Sequence, residues 1–546
     1  MKRIIALSCV LSICLYSFSQ GEMDAYKYST TELAGTARSM SMGGAFGALG
    51  GDVSSMSTNP GGLGIYRSSE FVISPMLRYN TTNATKGGYS TDDSKVNGVL
   101  QNLGFVGSFY TGNTSGLLNL NFGFAINRLA NFNRNTTSRG FNQATSISDY
   151  IAYKTNSTDN WLGEDVKKLD ASDAYTNGST NWLSALGYGS GMISEDNVYT
   201  DYYLSSLSSG ETVNSRLNMD EKGWVDEYAL SLAGNINNIV YAGLTVGIQD
   251  LKYTSSTLYS ESSTSSNSYL ELGNFLETTG TGWNLKLGML FRPLPFMRLG
   301  IAYHTPTFYN LSDYYYASAS SDIVTLPDAY SDDTEEGVFD YKLQTPGKLL
   351  LSYAVFIDNK AILSIDYDYS DYGSMKLDAK DYSTSFDADN DLIKSDFKGA
   401  HTFRIGGEVK VDPSISLRAG WATTSSCINT SIKDEKFEVP TSGTLPHYYF
   451  DNGRDFYTLG VGFRFHEFFL DVAYIYKVQN LKVYDFSPYF VTKDNPAWYS
   501  NPTPATYTPY GLTLDDNLVG SNLNYNQPAK VKDHTNSLMV TLGVKF

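Results

Sequence analysis

Few residues in this chain are spaced for covalent or metal chemistry. The five histidines, His304, His401, His447, His466 and His534, show no metal-ligand spacing. A haem needs an axial ligand; His447 could serve from a loop, but nothing singles it out. No nucleophile elbow and no Ser/His/Asp grouping stands out. Asp387-Ala-Asp-Asn-Asp391 begins like a calcium loop, yet Leu392 stands where that loop needs glycine and Lys398 where it needs glutamate, which excludes an EF-hand. The expectation is a protein that is not an enzyme and carries no cofactor or metal. The remaining chemistry is electrostatic. Lys286, Arg292, Arg298, Asp366, Asp368, Arg404, Glu408, Lys410, Arg418, Arg464, Asp471 and Lys477 lie opposite the apolar side of alternating segments. Facing an enclosed interior, such charges pair with one another, and an arginine fork can hold a carboxylate through two parallel hydrogen bonds.

Those charges are positioned by strands. In residues 537–546, Leu538, Val540, Leu542, Val544 and Phe546 alternate with Ser537, Met539, Thr541, Gly543 and Lys545, a period of two with one wholly apolar side. Similar alternation runs through Leu118–Asn127, Ile415–Trp421 and Tyr457–Phe465. About fourteen such segments of ~10 residues follow residue 70, the length a tilted membrane strand needs. The connections alternate in length. Short ones include Thr111–Gly116, Ile236–Ile239, Pro293–Pro295, Asp358–Lys360, Val411–Pro413 and His466-Glu467. Long ones fall near 81–100, 129–222, 255–280, 306–345, 372–400, 425–454 and 479–534, and are expected as irregular or locally folded loops. Short turns on one side and long loops on the other mark an outer-membrane barrel. The terminal Phe546 is of the kind that barrel-assembly machinery recognises. The expected fold is therefore all-β, a transmembrane antiparallel β-barrel of about 14 strands spanning residues 70–546.

The compartment agrees. Two early cations, an apolar run and Ser17-Phe18-Ser19 predict a secretory signal over residues 1–19, cut after Ser19. No later run approaches the ~20 apolar residues of a membrane helix, and a chain entering lipid without helices must close its backbone bonds in a barrel. The 42 tyrosines suit membrane–water interfaces. Mean hydropathy of −0.26 excludes a helical membrane protein. Cys427 remains once the signal, with Cys9 and Cys14, is removed, so no intrachain disulfide is expected. A net charge of −17 argues against nucleic-acid partners.

Residues 20–69 do not read as barrel. Gly35, Arg38, Gly43-Gly44, Asp52 and Thr58-Asn59-Pro60-Gly61-Gly62-Leu63 lie in a stretch rich in small residues, which lets backbone pack closely in a confined space. This order resembles the hatch of the FadL family of outer-membrane long-chain fatty-acid and hydrocarbon transporters, with Gly61 where the family usually has Ala. Gln344-Thr-Pro-Gly-Lys348 resembles a Pro-containing stretch of that family's barrel, and His401–Gly407 with Leu417–Trp421 its Arg-bearing hairpin. The resemblance implies a fourteen-stranded barrel with an N-terminal hatch (plug) over 20–69. It further implies a hatch gate at Asn59, Pro60, Gly61 and Gly62, and a kinked third strand, with Gly123 the candidate for lateral opening. Arg404 and Arg418 are the candidates for a ligand carboxylate. The expected partners are a hydrophobic small molecule, outer-membrane lipids and the assembly machinery, the chain acting as a monomer in the cell outer membrane. The alternatives are a general porin for polar solutes and a surface structural or adhesive barrel.

Overall fold

The computed structural model describes residues 21–162, 180–196, 202–208, 210–358, 360–380, 385–429, 443–490 and 526–546, and positions 169, 174, 175, 439, 441, 507, 508, 511, 512, 523 and 524. The expected signal, residues 1–19, lies outside them.

Fourteen strands form one antiparallel sheet. They are β1 (Glu70–Lys86), β2 (Tyr89–Tyr110), β3 (Leu117–Asn131, with an outer arm Arg134–Gln143), β4 (Val213–Ile236), β5 (Val240–Ser263), β6 (Tyr269–Leu294) and β7 (Met297–His304 and Phe308–Asp322). The others are β8 (Gly337–Gln344 and Lys348–Ile357), β9 (Ala361–Asp371 and Lys376–Ala379), β10 (Gly399–Asp412), β11 (Ile415–Ser425), β12 (Tyr448–Phe465), β13 (Phe468–Tyr484) and β14 (Ala529–Lys545). Because β14 pairs with both β13 and β1, the sheet closes and leaves no edge for lipid to meet. Phe546 and Ser69 exchange two backbone hydrogen bonds at the seam, each 3.0 Å. The short turns take forms their residues favour: Asn237 and Asn238 both have positive φ, as a two-residue hairpin turn needs.

Alternation decides which side meets lipid. Leu538 and Leu542 are half exposed on the outside, while Met539, Thr541 and Gly543 face in. A charge on this belt costs up to a few kcal/mol near mid-bilayer. Leu542→Asp should therefore lower the amount of heat-modifiable barrel recovered from membranes, and normal recovery would show that this face does not meet lipid.

The long connections differ from the expectation. Connections 81–100, 255–280 and 306–345 are largely strand: β1 and β2 run to a tight turn at Gly87-Gly88, so 81–100 is a hairpin, and β4, β5 and β6 reach 24, 24 and 26 residues. Their outer halves alternate Ser, Thr, Tyr and Asp, residues polar enough to hide the period but compatible with pleated backbone. Asp387–Asp396, where the sequence begins like a calcium loop, form a helix. Above the belt, two helices, Ile147–Leu162 and Trp182–Gly189, bury Ile147, Ile151, Leu183 and Leu186 against the inner faces of these extensions. Burial pushes the Glu261 carboxyl there up to about 7, even though it accepts hydrogen bonds from Ser146 Oγ (2.5 Å), Ile147 N (2.8 Å) and Tyr259 Oη (2.6 Å).

Candidate functional site

Residues 21–66 lie inside the barrel, and 67–69 lead into the wall. They form helices α1 (Glu22–Ser29), α2 (Ala37–Ser41) and α3 (Ser55–Thr58) and a 3-10 turn, Pro60–Ile65. The segment folds around the Asp52 carboxylate, which accepts from Thr36 Oγ1, Ser54 N and Ser54 Oγ at 2.7–2.9 Å. Glycine is required on both sides of the contact with the wall. Gly43, at φ +65°, lies against the backbone of Trp421, and a Cβ on it would come within 2.9 Å of Trp421 N and O. Asp366 on β9 accepts from Phe46 N and Gly47 N at 2.9 and 2.8 Å.

The four residues expected as a gate, Asn59, Pro60, Gly61 and Gly62, occupy one seat. Asn59 Nδ2 donates to Gly47 O (2.7 Å) and Met289 O (3.3 Å), and its Oδ1 accepts from Gly61 N (3.1 Å). Pro60 starts the 3-10 turn, where a missing N–H is harmless. A Cβ on Gly61 would come within 2.9 Å of Met289 Cα and Tyr241 O, and one on Gly62 within 2.8 Å of Gly50 Cα.

Gly123 points inward from β3, and Met56 and Leu63 of the lumen segment cover it. Its pairing on both sides is unbroken, to Val106 and to Ser231. No register shift falls at Gly123. The β3–β4 register shifts between Arg128 and Ala130, the strand stops at Asn131, and β2 pairs with β3 only over Asn102–Tyr110. The outer half of β2 is tied across that gap by side chains, Gln101 Nε2 to Arg128 O (2.8 Å) and Thr137 N to Asp93 (2.6 Å). Glu32 of the lumen segment donates its N–H to Leu129 O at 2.7 Å, at the bulge itself.

The two candidate arginines separate. Arg418 is almost fully buried and binds Glu408 and Asp471, both at 2.6 Å, while Arg38 of the lumen segment shares Glu408 at 3.0 Å. It has no face left for a ligand, so its assignment is corrected to structural. Arg404 binds Asp368 at 2.6 Å and lines a cavity of about 140 Å³.

That cavity brings together Lys286, His304, Lys348 and Arg404 from β6, β7, β8 and β10, facing Tyr28–Ala34, Ser57 and Thr58 of the lumen segment. Lys286 is ion-paired with Glu227, and His304 Nε2 contacts Thr58 O at 2.9 Å. Among the described residues the Lys348 ammonium makes no hydrogen bond and has no carboxylate within 4.0 Å, and the neighbouring Asp368 Oδ1 is buried without a partner. Lys348 escaped the sequence reading as a ligand contact. Its signal was present: Pro306 and Pro346 each interrupt an alternating segment, and proline inside a strand marks a broken ladder. Among the described residues no group of three or more His, Cys, Asp or Glu side chains converges as metal ligands.

The fold is similar to solved structures of a FadL homologue from Pseudomonas aeruginosa (13% identity, TM-score 0.48, covering 94% of this chain and 98% of that one) and of the toluene transporter TodX from P. putida (11%, 0.46, 94% and 99%). The toluene transporter TbuX from Ralstonia pickettii is similar too (13%, 0.45, 94% and 99%). No curated protein matches in sequence. The model of the outer-membrane transport protein family (OMPP1/FadL/TodX) matches residues 188–485 of the 546, more than half of the chain: this chain belongs to that family, and its place is the outer membrane.

Proposed function

We propose that this protein carries hydrophobic small molecules with an anionic head, such as long-chain fatty acids, across the outer membrane. Residues 20–69 are its movable hatch, residues 70–546 its barrel, and Asn59-Pro60-Gly61-Gly62 the gate. The observation that carries this reading is the unpartnered Lys348 ammonium beside Arg404, at one end of a cavity closed by the hatch. A carboxylate entering there gains a charge-assisted bond without breaking an existing pair of Lys348. The ligand then leaves sideways into the membrane. The gap between β2 and β3 supports that route better than Gly123 does, and Glu32 N–H to Leu129 O links hatch position to it. The chain works as a monomer, is no enzyme, and has as partners its ligand, the surrounding lipids and the assembly machinery.

The test compares Lys348→Gln with wild type for two ligands of equal length, palmitate and hexadecanol. A hydrogen bond to a charged group is worth about 1.5–3 kcal/mol. Palmitate binding should weaken ten-fold or more while hexadecanol binding changes little. Equal weakening of both would leave the head-group assignment without support.

A further inference from the structure

The wall has a second discontinuity, on the other side of the lumen from the β2–β3 gap. Three neighbouring strands are interrupted at one level: β7 at Thr305-Pro306-Thr307, β8 at Thr345-Pro346-Gly347 and β9 after Asp371. Across β7–β8 the break is stitched, Thr345 N to Thr307 O at 3.0 Å and Thr307 N to Thr345 Oγ1 at 2.9 Å. Across β8–β9 it is not. Pairing stops at Lys348↔Ser370 and resumes at Gln344↔Lys376, leaving 345–347 and 371–375 with no backbone bond between them.

The physical cause is local. Pro346 has no N–H to give. On the β9 side the chain satisfies itself: Gly373 N donates to Asp371 Oδ1 (3.2 Å), Met375 N to Tyr372 O (3.2 Å) and Ser374 Oγ to Asp371 O (2.6 Å). Parting the two strands there therefore orphans no backbone group, unlike parting any regular ladder.

Its height is also fixed by the outer surface. Below it, Tyr303, Leu349 and Tyr369 form an exposed row across β7, β8 and β9, with Leu351, Tyr353 and Ile357 continuing downward. Above it charged side chains enter the exposed surface, Lys342, Lys376, Asp378 and Lys380, among Phe308, Tyr316 and Val338. The break thus sits where charged and aromatic side chains first mix on the outer surface of β7–β9, a composition that suits the level of lipid head groups. Behind it lies the cationic cavity, whose lining includes Thr345, Pro346 and Lys348 on one side of the break and Ser370 and Tyr372 on the other. At about 140 Å³ that cavity is well short of the ~300–1,000 Å³ that encloses a drug-sized ligand. That volume has room for a head group and none for a long tail.

We propose that the β8–β9 break is a lateral port, through which an amphiphile whose anionic head rests at Lys348 and Arg404 keeps its tail in the outer leaflet. This deepens the transporter reading and rests on it for the identity of the head group.

The experiment places cysteines across the break, Pro346→Cys with Ser374→Cys, in a Cys427→Ser background, and bridges them with a reducible bis-maleimide. Bridged protein should take up palmitate at least ten-fold more slowly than unbridged, with recovery on reduction, while a short carboxylate such as butyrate still binds at the cationic wall. Unchanged palmitate uptake after bridging overturns the port and leaves the transporter standing. Absence of palmitate uptake in wild type overturns the transporter reading instead. The port then stands or falls on a second measurement that needs no uptake. Palmitate doxyl-labelled near its methyl end should quench a fluorophore on Ser374→Cys more than one on Leu459→Cys, a lipid-facing site on β12. Equal quenching overturns the port.

Discussion

Replacing Gly288 with valine should give a barrel that assembles but no longer holds its hatch. Gly288 on β6 and Gly243 on β5 are paired, and both face the lumen beneath Asn59 and Pro60. A Cβ on Gly288 would stand 2.7 Å from Pro60 Cδ and 2.8 Å from Pro60 N, and one on Gly243 would meet the Pro60 carbonyl. These are contacts with backbone and a rigid ring, which cannot swing aside. Overpacking of this kind costs about 1–3 kcal/mol, and the displaced Asn59 also gives up its bonds to Gly47 O and Met289 O, each worth about 1 kcal/mol. The strand loses nothing, since the new side chain would point into space the hatch vacates. The expected result is near-normal heat-modifiable barrel, single-channel conductance raised at least ten-fold, and reduced uptake of an apolar ligand. Asn59→Ala with Pro60→Ala should act in the same direction more weakly, because the seat itself remains. A Gly288→Val barrel as electrically silent as wild type would mean that this seat does not hold the hatch. A wild type that already conducts sugars or ions freely would favour the porin alternative.

Arg418→Met is expected to be the most destabilising single change in the wall. Its guanidinium neutralises Glu408 and Asp471, and all three side chains are almost completely buried. Removing one partner of a buried pair typically costs 3–5 kcal/mol, because the carboxylates stay behind without compensation. Arg38 reaches Glu408 from the hatch, through Nε at 3.0 Å and Nη2 at 3.3 Å, but makes no hydrogen bond to Asp471. The variant should therefore lose its gel shift at a lower temperature than wild type, and Arg418→Met with Glu408→Gln and Asp471→Asn should recover much of the loss. If Arg418→Met instead keeps its thermal transition and loses palmitate binding, the structural assignment is wrong and Arg418 contacts ligand. Arg404→Gln makes the converse comparison. It opens onto the cavity beside Lys348, so ligand affinity should register its loss more sharply than unfolding does.

Much of this protein was legible in one dimension. A period of two needs no partner to be seen, so Leu538 and Leu542 could be assigned to lipid and Met539 and Thr541 to the lumen from the last ten residues alone. The sorting of short and long connections gave the strand count and the sidedness, because a closed antiparallel sheet must alternate them. The small residues around Asn59-Pro60-Gly61-Gly62 marked a segment packed backbone to backbone. Alternation also told which charges face inward. It could not tell which inward charge meets which, since that depends on the register of strands and on the hatch threaded among them: Arg418 sits between Glu408 and Asp471 and is spent, whereas Lys348 faces a cavity. For the same reason the sequence did not show that the pairing of β3 is regular at its conspicuous glycine and shifts between Arg128 and Ala130. Gly123 is small because Met56 and Leu63 lie on it, whereas at Leu129 the β3–β4 register shifts beyond the point where β2 has stopped pairing with β3. The polar extensions of β4, β5 and β6 stayed hidden because strands with water on one face and polar residues on both lose the contrast that reveals them. The unbonded stretch between β8 and β9 needed tertiary structure most of all, since Pro346 and the Asp371 turn lie 25 residues apart and only the pairing of their strands sets them side by side.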